Sequence, residues 1–371
     1  MFRSRLNRII AAIGGYFVNE LPQQVATLLD DGDFGRFVEH SAKVHVGSDQ
    51  RILSIERRLN DYHSSFAIEE LTVHFENGRR LPLIFKNLGP DGLLEYARQI
   101  RPHFSYQPAR EIIVYQHILA GGGLGTPTCY GAFIDPECER YWLLLEKVPG
   151  NPLAKTGEFS IWCDAARWLA GMHCRMADVV DHNELTANLL TYDEDFFNAW
   201  IDRAEHLSNL RASGAENGFS AVWRLTAQCR HAVRHICALP QTFIHGEFYA
   251  SNILVSNCED RIRICPIDWE TSAIGPGLLD LAALVAGNWT DQQRAELAFA
   301  YYDALPSAMR PYDNLQEFAR ALCYCRLFMA IKWLGWSSVW QAPDEHRCDW
   351  LAEATQLAHV IESGERPCSD V

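Results

Sequence analysis

The residues of this chain with the most chemical promise lie between Phe243 and Asp268, read as F-I-H-G-E-F-Y-A-S-N-I-L-V, a short turn, then R-I-R-I-C-P-I-D. His245-Gly246-Glu247 is followed by Asn252, and Asp268 comes sixteen residues later. The flanking apolar runs place these side chains on two neighbouring loop–strand junctions. Glu247 offers a base, Asn252 an amide oxygen and Asp268 a carboxylate. Phosphoryl transfer from Mg-ATP needs those parts, one group to accept a hydroxyl proton and two oxygen ligands to hold Mg²⁺ on the phosphates.

The strand before Asp268 ends in Pro266-Ile267-Asp268-Trp269-Glu270, and Gly275-Pro276-Gly277-Leu278-Leu279-Asp280-Leu281-Ala282 follows. In this order the motifs resemble the catalytic and metal loops of the aminoglycoside phosphotransferase/choline kinase family, small-molecule relatives of protein kinases. That family reads H-G-D-x-x-x-x-N, then I-D-W-E or I-D-F-E, then G-x-P-x-x-D-L-A. The chain departs at one position: Glu247 stands where the family has its catalytic Asp. Its carboxylate lies one C–C bond, about 1.5 Å, further from the backbone. A misplacement of around 1 Å can cost on the order of 10²-fold in rate. A shifted loop or a different acceptor absorbs that length, because the reaction needs a positioned proton acceptor more than one residue type.

The resemblance implies an α+β, bilobal protein-kinase-like fold, with a small antiparallel β-sheet N-lobe and a larger, mainly helical C-lobe. It implies ATP and Mg²⁺ as cofactors, Asn252 and Asp268 as metal ligands, Glu247 as base and His245 as a brace of the catalytic loop. Asp280 is expected to bind backbone amides at the start of its own helix, where negative charge is favoured.

The elements that must position these groups come earlier. Ile52–Leu59, Phe66–Phe75 and Leu81–Lys86 read as three antiparallel strands, with Glu76-Asn77-Gly78 as a hairpin turn. A lysine ending the third strand resembles the kinase arrangement, in which a helix glutamate holds it on the α- and β-phosphates. Glu111 matches the family's R-E-x-x-x-Y helix, and Glu95 is the rival. The loop Asn60–Ser65 is either a simple hairpin turn or the cover of the triphosphate, where Ser64 and Ser65 would donate to phosphate oxygens. Tyr141–Glu146 reads as a buried strand broken by Lys147-Val148-Pro149-Gly150, similar to the linker whose backbone, here from Glu146 to Val148, reads the adenine edge. Trp162–Met172 reads as an amphipathic helix ending in His173, a structural hydrogen-bonding residue. Helices over 185–240 shape the acceptor pocket. A long helix from Leu315 ends near Gly335, beside Trp333, Trp336 and Trp340, which read as core packing or as a cage for a quaternary ammonium.

The organisation expected is a helical extension over 1–50, an N-lobe over 51–150 and a C-lobe over 151–371. No apolar run reaches the roughly 18–20 residues of a membrane span, and Met1–Val18 reads as a short amphipathic helix more than a signal peptide. The twelve cysteines are irregularly spaced without C-x-x-C, which fits a reducing cytoplasm and no structural zinc. A formal net charge of −14 argues against nucleic-acid partners; it suits either a cationic substrate or plain solubility. The function expected is ATP-dependent phosphorylation of a hydroxyl on a small molecule: an antibiotic such as an aminoglycoside, a sugar or nucleoside, or an amino alcohol. The alternative is a catalytically silent nucleotide-binding protein.

Overall fold

The computed structural model of the protein describes residues 32–47, 50–60, 65–121, 123–211, 216–258, 261–336 and 348–364, with the backbone of Ala26 and Thr27. The first part of the chain is a sheet. Its strands are β1 (Ala26–Thr27), β2 (Ile52–Leu59), β3 (Ile68–Phe75), β4 (Arg80–Asn87), β5 (Cys129–Asp135) and β6 (Arg140–Glu146). They pair antiparallel in the order β1-β2-β3-β4-β6-β5. The two faces of this sheet do different things, because side chains alternate with a period of two. Leu71, Val73 and Phe75 of β3 and Leu81, Leu83 and Phe85 of β4 are buried on one face. Ile84 and Lys86, on the other parity, line a cleft.

Helix α1 (Asp33–Val46) covers the apolar face. Val38 and Ala42 join the core there, and the Phe34 and Phe37 rings pack 4.8 Å from Phe85 and 5.7 Å from Trp142. The stretch 1–50, expected to be helical, is described as the short strand β1 and the helix α1; Met1–Val18 lies outside the described residues. Between β4 and β5 come α2 (Glu95–Ile100) and α3 (Arg110–Ile113), the latter running on as a π-helical turn through Val114–Ile118.

The chain then crosses to a mainly helical body. Gly150 makes that crossing with φ +132°, and a Cβ on it would lie 2.2 Å from the Val255 carbonyl oxygen, so only glycine fits. The body contains β7 (Asn151–Pro152), α4 (Phe159–Arg175), β8 (Leu190–Thr191), α5 (Glu194–Arg211) and α6 (Glu216–Cys237). It continues through β9 (Gln241–Ile244), β10 (Ile253–Cys258), β11 (Arg261–Pro266), β12 (Ala273–Pro276), α7 (Leu278–Leu284), α8 (Asp291–Ala304), α9 (Leu315–Trp336) and α10 (Trp350–Ser363). Two small sheets, β11-β10-β7 and β8-β12-β9, carry the loops of interest at their ends. The register Ile253↔Pro266 sets the loop before β10 beside the loop after β11. That pairing brings Asn252 and Asp268 together, although sixteen residues separate them.

The helices pack into one apolar core. Leu169 of α4, Phe197 of α5, Val233 of α6, Leu281 of α7 and Phe328 of α9 are buried within it. No described helix is long and apolar enough to cross a membrane. Cys129, Cys138, Cys163, Cys174, Cys229, Cys237, Cys325 and Cys348 are free thiols.

Candidate active site

A cavity of about 640 Å³ lies between the cleft face of the first sheet and the helical body. Lys86, Ser65, Glu146 and Val148 reach it from the sheet side, and Glu247, Asn252 and Asp268 from the other. The structure thus brings together in one space residues that the sequence spreads over two hundred positions. Ser64 and residues 61–63 lie outside the described residues, so of the expected phosphate loop only Asn60 and Ser65 are placed here.

Lys86 is the hub of the sheet side. Its Nζ donates to Glu111 Oε1 at 2.7 Å and Oε2 at 2.8 Å, and to Asp268 Oδ1 at 2.7 Å. An ammonium has three donors, and these three oxygens use them all. Burial pulls the Lys86 pKa down, but the Asp268 and Glu111 charges outweigh it and leave the amine firmly protonated. Burial pushes the Glu111 carboxyl up to about 7, against the pull of Lys86. Asp268 is lowered, because the same amine outweighs its burial. Glu95, the rival partner, instead hydrogen-bonds the exposed Gln99 on α2. Glu111 also accepts from the Trp269 amide at 3.3 Å, which ties α3 to the Asp268 loop.

The catalytic-type loop is held by backbone chemistry. His245 is buried, and its ring Nε2 lies 2.9 Å from the Ile267 carbonyl, so that nitrogen carries the proton and donates. Burial lowers the His245 pKa, which keeps the ring neutral. This hydrogen bond links the His245 loop to the loop that carries Asp268. Gly246 sits at φ +85°, with room for no Cβ: one would meet the Thr271 carbonyl oxygen at 2.3 Å. Asp268 itself adopts φ +66°, a left-handed conformation rare for a residue with a side chain.

Asp280 corrects an expectation. It does not cap its own helix. Its carboxylate, fully buried, accepts from the His245 amide at 2.7 Å and the Gly246 amide at 2.8 Å. His173 Nε2 donates to it at 3.3 Å, and the Tyr301 hydroxyl donates to His173 Nδ1 at 2.8 Å. The helix start is short and buried, while the loop opposite leaves two amides in need of an acceptor.

Two further expectations are refined by the geometry. The Glu146 side chain faces Arg263 in a bidentate pair at 2.6 and 2.9 Å, and its amide donates to the Thr128 carbonyl. Any part this stretch plays with a nucleotide falls to the backbone towards Val148. Of the tryptophans, Trp333 and Trp336 line the cavity beside Trp200; Trp340 lies outside the described residues. Trp333 stacks on Trp350 with centres 5.4 Å apart, so core packing describes part of this cluster.

Residues the sequence reading missed complete the site. Lys332, buried on α9, places Nζ 3.2 Å from Glu247 Oε1. Arg101 pairs with Glu270 at 3.0 Å, and both line the cavity. Burial raises the Glu270 pKa against the pull of Arg101. A lysine inside the apolar run Leu327–Trp333 was the available signal for Lys332. Glu270 was in plain view in the Asp268-Trp269-Glu270 motif, with no partner to suggest a role.

Asn252 donates through Nδ2 to the Glu247 carbonyl at 3.1 Å, which leaves its side-chain oxygen as the atom able to hold a cation. Among the described residues no group of three or more His, Cys, Asp or Glu gathers as a metal cage. Mg²⁺ suits such a place, since it takes one or two protein oxygens and completes its shell with water and phosphate.

Residues 70–318 match the model of the phosphotransferase enzyme family. Several solved structures share the fold. A mutant of aminoglycoside 2′-phosphotransferase-IIIa, complexed with GDP, aligns with a TM-score of 0.54 at 13% identity, over 88% of this chain and 98% of that one. A spectinomycin phosphotransferase in complex with ADP and spectinomycin aligns at 0.53 and 14%, over 92% and 99%. An ethanolamine kinase of Plasmodium vivax aligns at 0.54 and 11%, over 98% and 96%. At these identities the likeness is one of fold. No curated protein matches the chain.

Proposed function

The chain belongs to the phosphotransferase enzyme family, and from that premise we propose that it moves the γ-phosphoryl group of Mg-ATP to a hydroxyl of a small molecule. The observation that carries this reading is the convergence of Lys86, Glu111, Asp268, Asn252 and Glu247 on one cavity. Similar folds bind ADP with an antibiotic, or GDP, and they support a nucleoside di- or triphosphate at this place.

Lys86 lies on the α- and β-phosphates, held in line by Glu111. A phosphate oxygen takes over the third donor that Asp268 Oδ1 occupies in this structure. Asp268 and the Asn252 side-chain oxygen would hold Mg²⁺, which when bound would neutralise charge on the phosphates. Backbone near Val148 meets the base, and Ser65 sits at the phosphate end. Glu247 orients the acceptor and takes its hydroxyl proton. The acceptor oxygen then bonds to the γ-phosphorus while the bond to the β–γ bridging oxygen breaks and ADP leaves. Most of the acceleration comes from positioning and from fixed charge aimed at the transferring group.

The Lys332 ammonium already holds one oxygen of Glu247, at 3.2 Å. That contact favours a second reading, a nucleotide-binding protein without turnover. The experiment is mass spectrometry of a panel of hydroxyl compounds incubated with Mg-ATP and the protein, alongside Glu247→Gln and Asp268→Asn. A compound phosphorylated by wild type and by neither variant supports transfer with Glu247 as base. Full activity in Glu247→Gln overturns that role, and Mg-ATP binding without transfer across the panel selects the silent reading.

A further inference from the structure

The acceptor end of the cavity narrows what it takes, an inference that rests on the phosphotransferase reading above. Four acidic side chains line the cavity, and each is already paired: Glu146 with Arg263, Glu247 with Lys332, Asp268 with Lys86, and Glu270 with Arg101. The cations among the described lining residues are Lys86, Arg101, Lys147, Lys155 and Lys332, and they too are shared: Lys86 also meets Glu111, and Lys147 meets Glu70 at 2.7 Å. Among the described residues, each acid that a cationic substrate would meet here already has a basic partner.

The wall beside Glu247 is aromatic. Trp200, Trp333 and Trp336 line it together with Phe196. Lys332 Nζ stands 5.5 Å from the centre of the Trp200 ring, so the protein's own ammonium is on that ring. A second cation placed near the same ring would be repelled at short range in a partly desolvated site. This removes the main attraction of an ammonium cage. Proton transfer adds to the argument. Once Glu247 accepts the hydroxyl proton it is neutral, and buried Lys332 is left without its counter-charge unless the incoming groups supply one.

We infer that the acceptor is a ring-bearing alcohol without positive charge, either uncharged or acidic, seated on the Trp200–Trp333–Trp336 wall with its polar group toward Lys332. The Lys332 ammonium, standing beside both Glu247 and the Trp200 ring, disfavours polyamino compounds such as aminoglycosides and simple amino alcohols at this end of the cavity.

The test is a binding series on one ring: para-substituted benzyl alcohols carrying a carboxylate, a carboxamide or an aminomethyl group. Each is titrated into the full chain with Mg²⁺ and a non-hydrolysable ATP analogue, and followed by calorimetry. The carboxylate and carboxamide should bind at least about tenfold more tightly than the amine, because like charges juxtaposed at a site are strongly disfavoured. Lys332→Met should shrink that gap. An amine that binds as well as or better than the others overturns the inference. So does the failure of all three to bind at millimolar concentration in protein that binds the nucleotide analogue. Binding needs no turnover, so the two readings fail separately. Loss of phosphoryl transfer with the order intact sinks only the enzymatic reading, whereas transfer to an aminoglycoside sinks only this one.

Discussion

Replacing Asp280 by Asn tests how the Glu247 loop is held. The carboxylate receives two backbone donors at 2.7 and 2.8 Å and the His173 imidazole at 3.3 Å, all without solvent. An asparagine keeps one acceptor oxygen and turns an NH₂ group toward the other amide, setting donor against donor. One charge-assisted hydrogen bond is lost, about 1.5–3 kcal/mol, and one buried N–H is orphaned, about 1–3 kcal/mol. Together these come to about 2.5–6 kcal/mol, a large share of the roughly 5–15 kcal/mol that stabilises a typical domain. The loop can recover part of this only by moving, and a shift of around 1 Å at Glu247 costs on the order of 10²-fold in rate. Urea denaturation of wild type and Asp280→Asn measures the first quantity, and phosphoryl transfer at matched folded fraction measures the second. Tyr301→Phe, which removes only the hydroxyl that supports His173, should cost about 1 kcal/mol. An Asp280→Asn cost below about 1 kcal/mol would mean that the two amides find other acceptors, and the bracing argument would fall.

Other outcomes follow from the same geometry. Lys86→Met strips buried Glu111 of its cation, and should cost about 3–5 kcal/mol in denaturation and abolish measurable nucleotide binding by calorimetry; unchanged binding would remove Lys86 from the phosphate site. Glu247→Asp shortens the side chain by about 1.5 Å and opens the 3.2 Å contact to Lys332 beyond ion-pair reach. Its kcat/KM should fall on the order of 10²-fold, and an Asp variant as fast as wild type would show that the extra length is not used. Burial lowers the folded pKa of His245 below its ordinary value of 6.5. The unfolded chain therefore binds the proton first, and stability falls as pH drops below 6.5, towards the lowered folded value. Denaturation midpoints across that window should show the slope in wild type and a smaller one in His245→Asn; equal slopes would count against a neutral, buried His245.

What could be read from sequence and what could not divide along the distance over which each interaction acts. His245, Glu247, Asn252 and Asp268 were legible because the turn and strands that join them are local, and the register of one hairpin sets their spacing. Lys86 was legible as the lysine ending the third strand, as the resemblance implies, and in the structure it lies on the face opposite Leu83 and Phe85. Glu111 was preferred to Glu95 on its R-E-x-x-x-Y match, and in the structure Glu111 is the one that meets Lys86 while Glu95 meets Gln99.

Asp280 shows the limit from the other side. Its position near a helix start suggested a local cap, yet its partners are amides thirty-four and thirty-five residues away. Lys332 shows it most clearly: it meets Glu247 across eighty-five residues, on a helix whose apolar pattern gave the lysine no visible reason. The charge of the cleft was likewise hidden, since net charge sums over the whole surface while a cavity reflects only which acids and bases the fold pairs within it. The sequence by itself carried the local motif, which lies in short contiguous stretches, and through the family that motif resembles it implied the fold class. Tertiary structure alone decided the partners of Asp280, Glu247 and Glu270, because side-chain pairing across the core depends on which helices meet.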